Sequence, residues 1–273
     1  MNGGFSHYEG ERCGLRNLTK QLWRIFRHPQ PYRTTIAQRL WRRRHPEPKY
    51  PYYEYCVREG ARLAKALGHA GATVVEFGVA GGNGLVALEG YAERVEQDLD
   101  ITIDVAGFDS GAGMPAPRDY RDMPYKWGAG YYPMDEEALR RRGKRAELVL
   151  GPVEQTTAEF ASRCRFPIAA VMMDLDYYSS TIEALRLFDL APALPRVPIY
   201  FDDLWLATPF TGEWAAIAHF NETHPSGKIT QTWALAHATD WSVRIFELHD
   251  FEHPDYSRRL TTLEEHGQLP LTM

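Results

Sequence analysis

The chain has 273 residues, 44% of them apolar and 25% charged, with a formal net charge of −5, which suits one α/β domain with an added lobe and gives no global reason to expect nucleic acid. Three widely spaced cysteines, Cys13, Cys56 and Cys164, form no CxxC pair, so neither a disulfide framework nor a zinc site is expected and a reducing cytoplasm fits. No run of about 18 apolar residues and no signal-peptide core occurs, so the chain is expected to be cytoplasmic, with no membrane partner.

The charge is uneven. Residues 1–50 carry 11 Lys/Arg and 3 Asp/Glu, a balance of +8, which leaves −13 for the remainder. Within this zone Leu15, Leu18, Leu22 and Phe26 recur at three- and four-residue spacing, the pattern of an amphipathic helix. A basic helix of this kind either lies on a membrane or lid surface or packs on the main domain with its charged face in water; the second is the commoner case. Residues 1–54 are read as a helical extension that covers the acceptor side or mediates contact in a homo-oligomer. The run "YPYYEY" at 50–55 reads as an aromatic lid or, preferably, as packing.

From residue 55 strands and helices alternate. A helix over 56–67 ends in glycine-rich punctuation; "TVVEFG" (73–78) is a strand, followed by "VAGGNG" and a helix carrying Leu85, Leu88 and Val95. "ITIDVAGFD" (101–109) is a second strand, "DEEALRRRG" a charged helix and "AELVLG" a third strand. "TTAEFASRC" (156–164) is a helix and "IAAVMMD" a fourth strand. "SSTIEALRLFD" (179–189) is a helix opened by a capping box, Ser180-x-x-Glu183. "VPIYFDD" is a fifth strand and "GEWAAIAHFNE" a helix. Then "KITQTWALAH" and "WSVRIFELH" follow with only "ATD" between them, a hairpin. Five strands alternating with helices, then a hairpin, imply a Rossmann-like, mostly parallel seven-stranded sheet with a C-terminal antiparallel pair, the signature of the class I methyltransferase fold.

Two features carry the chemistry. The loop "EFGVAGGNG" (76–84) lets a ligand approach the backbone at a helix N-terminus, but it is not GxGxxG, and no phosphate-loop motif occurs. Glu76 would repel a pyrophosphate and pair with an ammonium, which disfavours NAD and ATP and favours the amino-acid end of S-adenosylmethionine. Asp109, 25 residues after Gly84, stands where such folds hold a ribose diol, or else serves only as a turn residue. The second feature is acidic: Asp174 and Asp176 end the fourth strand, and Asp202 and Asp203 end the fifth. Adjacent strands would bring four like charges together, and a hard divalent cation such as Mg²⁺ relieves that repulsion through oxygen ligands alone. A carboxylate left off the metal can act as general base toward a hydroxyl.

In order, "EFGVAGGNG", "FDSGAGMP", "LVLGPVEQT", "MDLDYYSSTIEAL" and "YFDDLW" resemble the macrocin O-methyltransferase family over residues 55–250. The resemblance implies an S-adenosylmethionine-dependent, Mg²⁺-dependent sugar O-methyltransferase of natural-product pathways, with a small hydroxyl acceptor as partner. It implies Asp174, Asp202 and Asp203 as metal ligands and Asp176 as catalytic base. It implies a cofactor site of Glu76, Phe77, Gly78, Gly82, Asn83, Asp109, Ser110, Val153 and Asp174, with Val153 beside the adenine. The chain departs from the family pattern in "LPRVPIYF" before strand five, in lacking an aromatic after Ser110, and in Leu204, where a substrate-contacting Tyr is frequent. A catechol-type methyltransferase and a non-catalytic binding protein are the alternatives. A nucleic-acid methylase is remote, since the [DN]PPY-type string of base methylases is absent.

Overall fold

The computed structural model describes residues 50–232 and 244–260. The first helix, α1 (Pro51–Leu67), opens with proline at its first position, where no intrahelical N–H is lost, and closes on Gly68 in the left-handed region (φ 90°). The chain then runs β1 (Gly71–Phe77), α2 (Asn83–Leu99), β2 (Thr102–Asp109), α3 (Glu136–Arg142), β3 (Glu147–Leu150), α4 (Val153–Ala161) and β4 (Ile168–Met173). It continues through α5 (Tyr178–Leu185), α6 (Leu187–Leu190), β5 (Arg196–Phe201), α7 (Gly212–Thr223), β6 (Gly227–Gln231) and β7 (Ile245–Asp250). The expected division at residues 54 and 55 falls inside α1, and the readings for residues 1–49 lie outside the described residues, as does the "ATD" turn.

The seven strands form one sheet in the order β3-β2-β1-β4-β5-β7-β6. Strands β1 to β5 pair in parallel, while β7 runs antiparallel between β5 and β6. Every residue of β1 and β4 is buried, as expected where helices cover both faces of a parallel sheet. The strand order reverses between β1 and β4, and in open α/β sheets ligands bind at such a point, beyond the carboxyl ends of the strands.

Three local expectations are corrected. The helix expected at 156–164 begins at Val153, directly after Pro152, and ends at Ala161. The helix expected at 179–189 is broken at Arg186 into α5 and α6. The capping box does not form: α5 begins at Tyr178, so Ser180 is already inside the helix, and no side chain of the N-cap residue Tyr177 caps it. Asp122, fully buried in the loop after β2, accepts instead from the Ser179 N–H at 2.8 Å and from the Ser179 hydroxyl at 2.8 Å. A carboxylate delivered by tertiary contact satisfies the free helix donor better than a local hydroxyl.

Helix α1 lies so close to the sheet that a Cβ on Gly60 would stand 2.0 Å from the Ala169 carbonyl oxygen. Gly60→Ala should therefore cost about 1–3 kcal/mol by overpacking, despite alanine's better helix propensity. Urea unfolding checks this, and a variant as stable as the wild type would refute it.

Candidate functional site

The glycine loop is shaped by close backbone approach. Gly78 has φ 87°, and a Cβ there would lie 1.7 Å from the Asp174 carbonyl oxygen, so only glycine lets the chain leave β1 across the end of β4. The Asp174 N–H donates to the Phe77 carbonyl at 2.9 Å. Gly82 (φ 74°) caps α2, and its missing Cβ leaves room for Leu139. One guanidinium braces the turn: Arg142 donates to the Gly81 carbonyl at 2.9 Å and to Asn83 Oδ1 at 2.7 Å. The Phe77 ring is fully buried and stacks on Phe108, so this residue meets the loop only through its backbone.

Glu76 is 2% exposed. Its Oε1 accepts from the Tyr53 hydroxyl at 2.7 Å, while its buried Oε2 has no partner. Burial pushes its carboxyl up to about 8; the Tyr53 bond works against that rise and the Asp109 charge adds to it. Asp109 Oδ2 accepts from the Ala80 N–H at 2.8 Å and Oδ1 from the Gly111 N–H at 2.7 Å. It therefore makes the turn contacts of the plainer reading and also fixes the glycine loop to the end of β2. Ser110 is exposed and its hydroxyl donates to the Gly113 carbonyl at 2.6 Å, while Val153 stands half-buried at the start of α4.

At the ends of β4 and β5 the carboxylates converge. One oxygen from each of Asp174, Asp202 and Asp203 lies within 4.8 Å of the others. Asp176 stands outside that trio, hydrogen-bonded to Asp203. It sits at the centre of a three-residue turn with φ 57°, closed by the Tyr177 N–H on the Leu175 carbonyl at 2.5 Å. A non-glycine residue in this conformation is strained, and the strain persists because the surrounding core fixes it. Burial, then the neighbouring charges, raises Asp174 well above the usual carboxylate range and Asp203 to about 8. Asp176 rises to about 6, chiefly through burial. Three carboxylates whose oxygens converge at two strand ends, with no His or Cys among them, fit a hard divalent cation.

Several residues of the site were not singled out from sequence. Glu213, in the first turn of α7, is fully buried, and its Oε2 accepts from the Asp203 N–H at 3.0 Å. Arg244 donates to Asp202 Oδ1 at 3.0 Å and to the Tyr200 hydroxyl at 2.9 Å, and that hydroxyl donates to Asp202 Oδ1 at 2.6 Å. Tyr52 stacks on Tyr200 with ring centroids 4.0 Å apart, so the tyrosine run of α1 is packing that supports both halves of the site. Tyr132, half-exposed and with φ 56°, meets Trp127 and Tyr131 edge to face and lies near enough to Asp176, Asp203 and Asp174 for their charges to raise its phenol, after burial. At the position where a tyrosine is frequent, Leu204 is buried and the next residue, Trp205, is 71% exposed.

Other polar groups are committed elsewhere. His219 Nδ1 meets the Tyr178 hydroxyl at 3.0 Å, and His224 bonds to Phe220 and Asp189. A pocket near the opposite ends of β2 and β3 is lined by Arg145, Arg163 and Arg165, but these pair with Glu96, Glu147 and Asp104. Among the described residues, no helix is long and apolar enough to cross a membrane.

No family model matches the chain, and no curated protein matches it. Solved structures do. The O-methyltransferase NovP superposes with a TM-score of 0.52 at 15% identity, covering 73% of this chain and 78% of that one. CalS11, a calicheamicin methyltransferase, gives 0.47 at 20% identity over 82% and 90%. TomG, an O-methyltransferase from Streptomyces achromogenes involved in tomaymycin synthesis, gives 0.44 at 12% identity over 84% and 94%. The likeness to NovP, with the strand order, shows the class I methyltransferase fold.

Glu76 sets a pH dependence. Folding raises its carboxyl from 4.5 to about 8, so between those values the folded chain holds more protons than the unfolded one. The ligand-free protein should thus be most stable at the acid side of this window and lose stability as pH rises through it. Urea unfolding of wild type and Glu76→Gln at pH 5 and pH 8 should show the variant's loss smaller by on the order of 2–4 kcal/mol. Parallel pH profiles would contradict the assignment.

Proposed function

We propose that the chain is a divalent-metal-dependent O-methyltransferase that moves the methyl group of S-adenosylmethionine to a hydroxyl of a sugar or glycosylated natural product, as the macrocin O-methyltransferase family does. One observation carries this reading. A buried carboxylate with an unmatched oxygen, Glu76, stands beside a glycine loop, with three aspartates gathered at the next strand ends. The first suits a cationic amino group, the second the hard cation that orients an oxygen nucleophile.

Glu76 Oε2 takes the ammonium of the methionyl part, and Gly81, where an added Cβ would meet nothing within 4 Å, leaves the loop backbone open for its approach. Asp109 retains lone pairs for the ribose hydroxyls after accepting from Ala80 and Gly111. Asp174, Asp202 and Asp203 would hold Mg²⁺, which when bound polarises the acceptor hydroxyl and lowers its pKa. Asp176 then removes the hydroxyl proton onto its carboxylate. As the oxygen attacks, the new C–O bond forms, the methyl–sulfur bond breaks with its electron pair left on sulfur, and the sulfonium becomes a thioether. Orientation and preset charge supply the rate. The exposed rings of Tyr132 and Trp205 suit the apolar face of a pyranose, and equally a flat catechol, so the acceptor class is decided by turnover.

Labelled S-adenosylmethionine offered with a panel of glycosides and catechols should transfer label to a glycoside. Asp176→Asn should keep cofactor binding by calorimetry while kcat falls by about 10²–10⁴-fold. Excess chelator should abolish transfer. Full activity in chelator would sink the metal role, near wild-type kcat in Asp176→Asn the base, and calorimetric silence toward S-adenosylhomocysteine the cofactor.

A further inference from the structure

We propose that Glu213 is a positioning residue of the aspartate cluster: it fixes Asp203 through the backbone and adds a fourth carboxylate to the charge that a divalent cation meets. This rests on the metal reading above.

The start of α7 grips the β5 turn at two points. Glu213 Oε2 accepts from the Asp203 N–H at 3.0 Å, and Trp214 Nε1 donates to the Leu204 carbonyl at 3.0 Å. Gly212, with φ 55°, brings this helix start against the other acidic turn, since a Cβ there would stand 3.0 Å from the Asp176 carbonyl oxygen. Glu213 therefore lies between the two strand-end motifs. It is fully buried, its Oε1 has no partner, and Asp203, Asp174 and Asp176 all act on it electrostatically.

A brace for one backbone N–H does not need a charge. An amide or hydroxyl would accept that hydrogen bond without burying an acid among three others. The unmatched oxygen and the crowding are costs of the cation-free protein, and they become gains once a divalent charge is present, because each nearby carboxylate then attracts it. Helix α7 would in this way set both the direction of Asp203 and the affinity of the site.

The test is calorimetric titration of the full chain with Mn²⁺, alongside its thermal unfolding without metal. Glu213→Gln keeps the shape and an acceptor for the Asp203 N–H but removes the charge. Mn²⁺ affinity should fall by about 10–100-fold, while the metal-free Tm stays within about 3 °C of wild type. A merely structural carboxylate gives the opposite pattern, a lowered Tm with unchanged Mn²⁺ affinity, and that result overturns the proposal. Should the Gln variant not fold, Glu213→Asp, which withdraws the charge from Asp203, should weaken Mn²⁺ binding by at least tenfold; wild-type affinity there overturns it equally. Absence of Mn²⁺ uptake by the wild type fails the metal reading and this inference together. Equal uptake by wild type and variant fails this inference alone.

Discussion

Repulsion among carboxyl groups at one edge of the sheet is the constraint that the site is arranged around. Glu76, Asp174, Asp176, Asp202, Asp203 and Glu213 gather where β1, β4 and β5 end and α7 begins. Two like charges 4 Å apart cost about 1 kcal/mol in water and about 4 kcal/mol near a protein surface, so six ionised groups would be hard to hold. The chain answers in three ways. Tyr53 and Tyr200 donate hydroxyl hydrogens to Glu76 and Asp202, the backbone of Asp203 donates to Glu213, and Arg244 sets a permanent positive charge on Asp202. Burial first, and then the remaining repulsion, holds protons far above the ordinary range on Glu76, Asp174, Asp203 and Glu213. On the proposed reading, such protons would leave when an external cation arrives, and the crowding would serve to bind it.

Holding these groups in place takes a stiff frame. The two central strands are buried throughout, and their ends are crossed so closely that Gly78 and Gly212 have no room for a side chain near the Asp174 and Asp176 carbonyls. Asp176 remains in a strained turn because its neighbours on both sides are fixed: Asp174 by β1 and Tyr177 by its bond to Leu175. Strain of this kind, about 1–3 kcal/mol, persists only where packing imposes it, and here it sets Asp176 beside Asp203 at the edge of the trio.

Much of this was legible in the residues. Apolar runs of strand length ending in acids placed β4, β5 and their aspartates, and the glycine spacing after β1 placed the loop, because both are properties of consecutive residues. What escaped depends on residues distant in the chain. Glu213 looks like an ordinary first-turn acid of a helix, where negative charge is common; only the packing of α7 against α5 and the turn after β5 buries it. Arg244 is one residue of the expected run "WSVRIFELH" among others until β7, which begins at the next residue, pairs beside β5. The capping box at Ser180 was a sound local pattern that lost to Asp122, some 57 residues away in sequence. The tyrosines at 52 and 53 gave an aromatic run with no direction, and the stacking of Tyr52 on Tyr200 supplied it.

Chemistry and selectivity are therefore built from different material. The groups that would bind cofactor and cation sit on strand ends and on the helix starts packed against them, where small displacements are resisted by the whole core. The surfaces that would meet an acceptor, Trp127, Tyr131, Tyr132 and Trp205, come from the loops after β2 and β5. Loops carry no hydrophobic period, so nothing in the residues announces which rings face the cluster. Even so, the loop after β2 is not loose. Asp122 ties it to the first turn of α5, directly after the strained Asp176 turn, and Gly113 packs on the Tyr131 carbonyl beside Tyr132. The ring of Tyr132 is thus held relative to the same backbone that positions Asp176. An acceptor resting on it would be placed with respect to Asp176 by covalent structure and buried hydrogen bonds, not by its own contacts with the carboxylates.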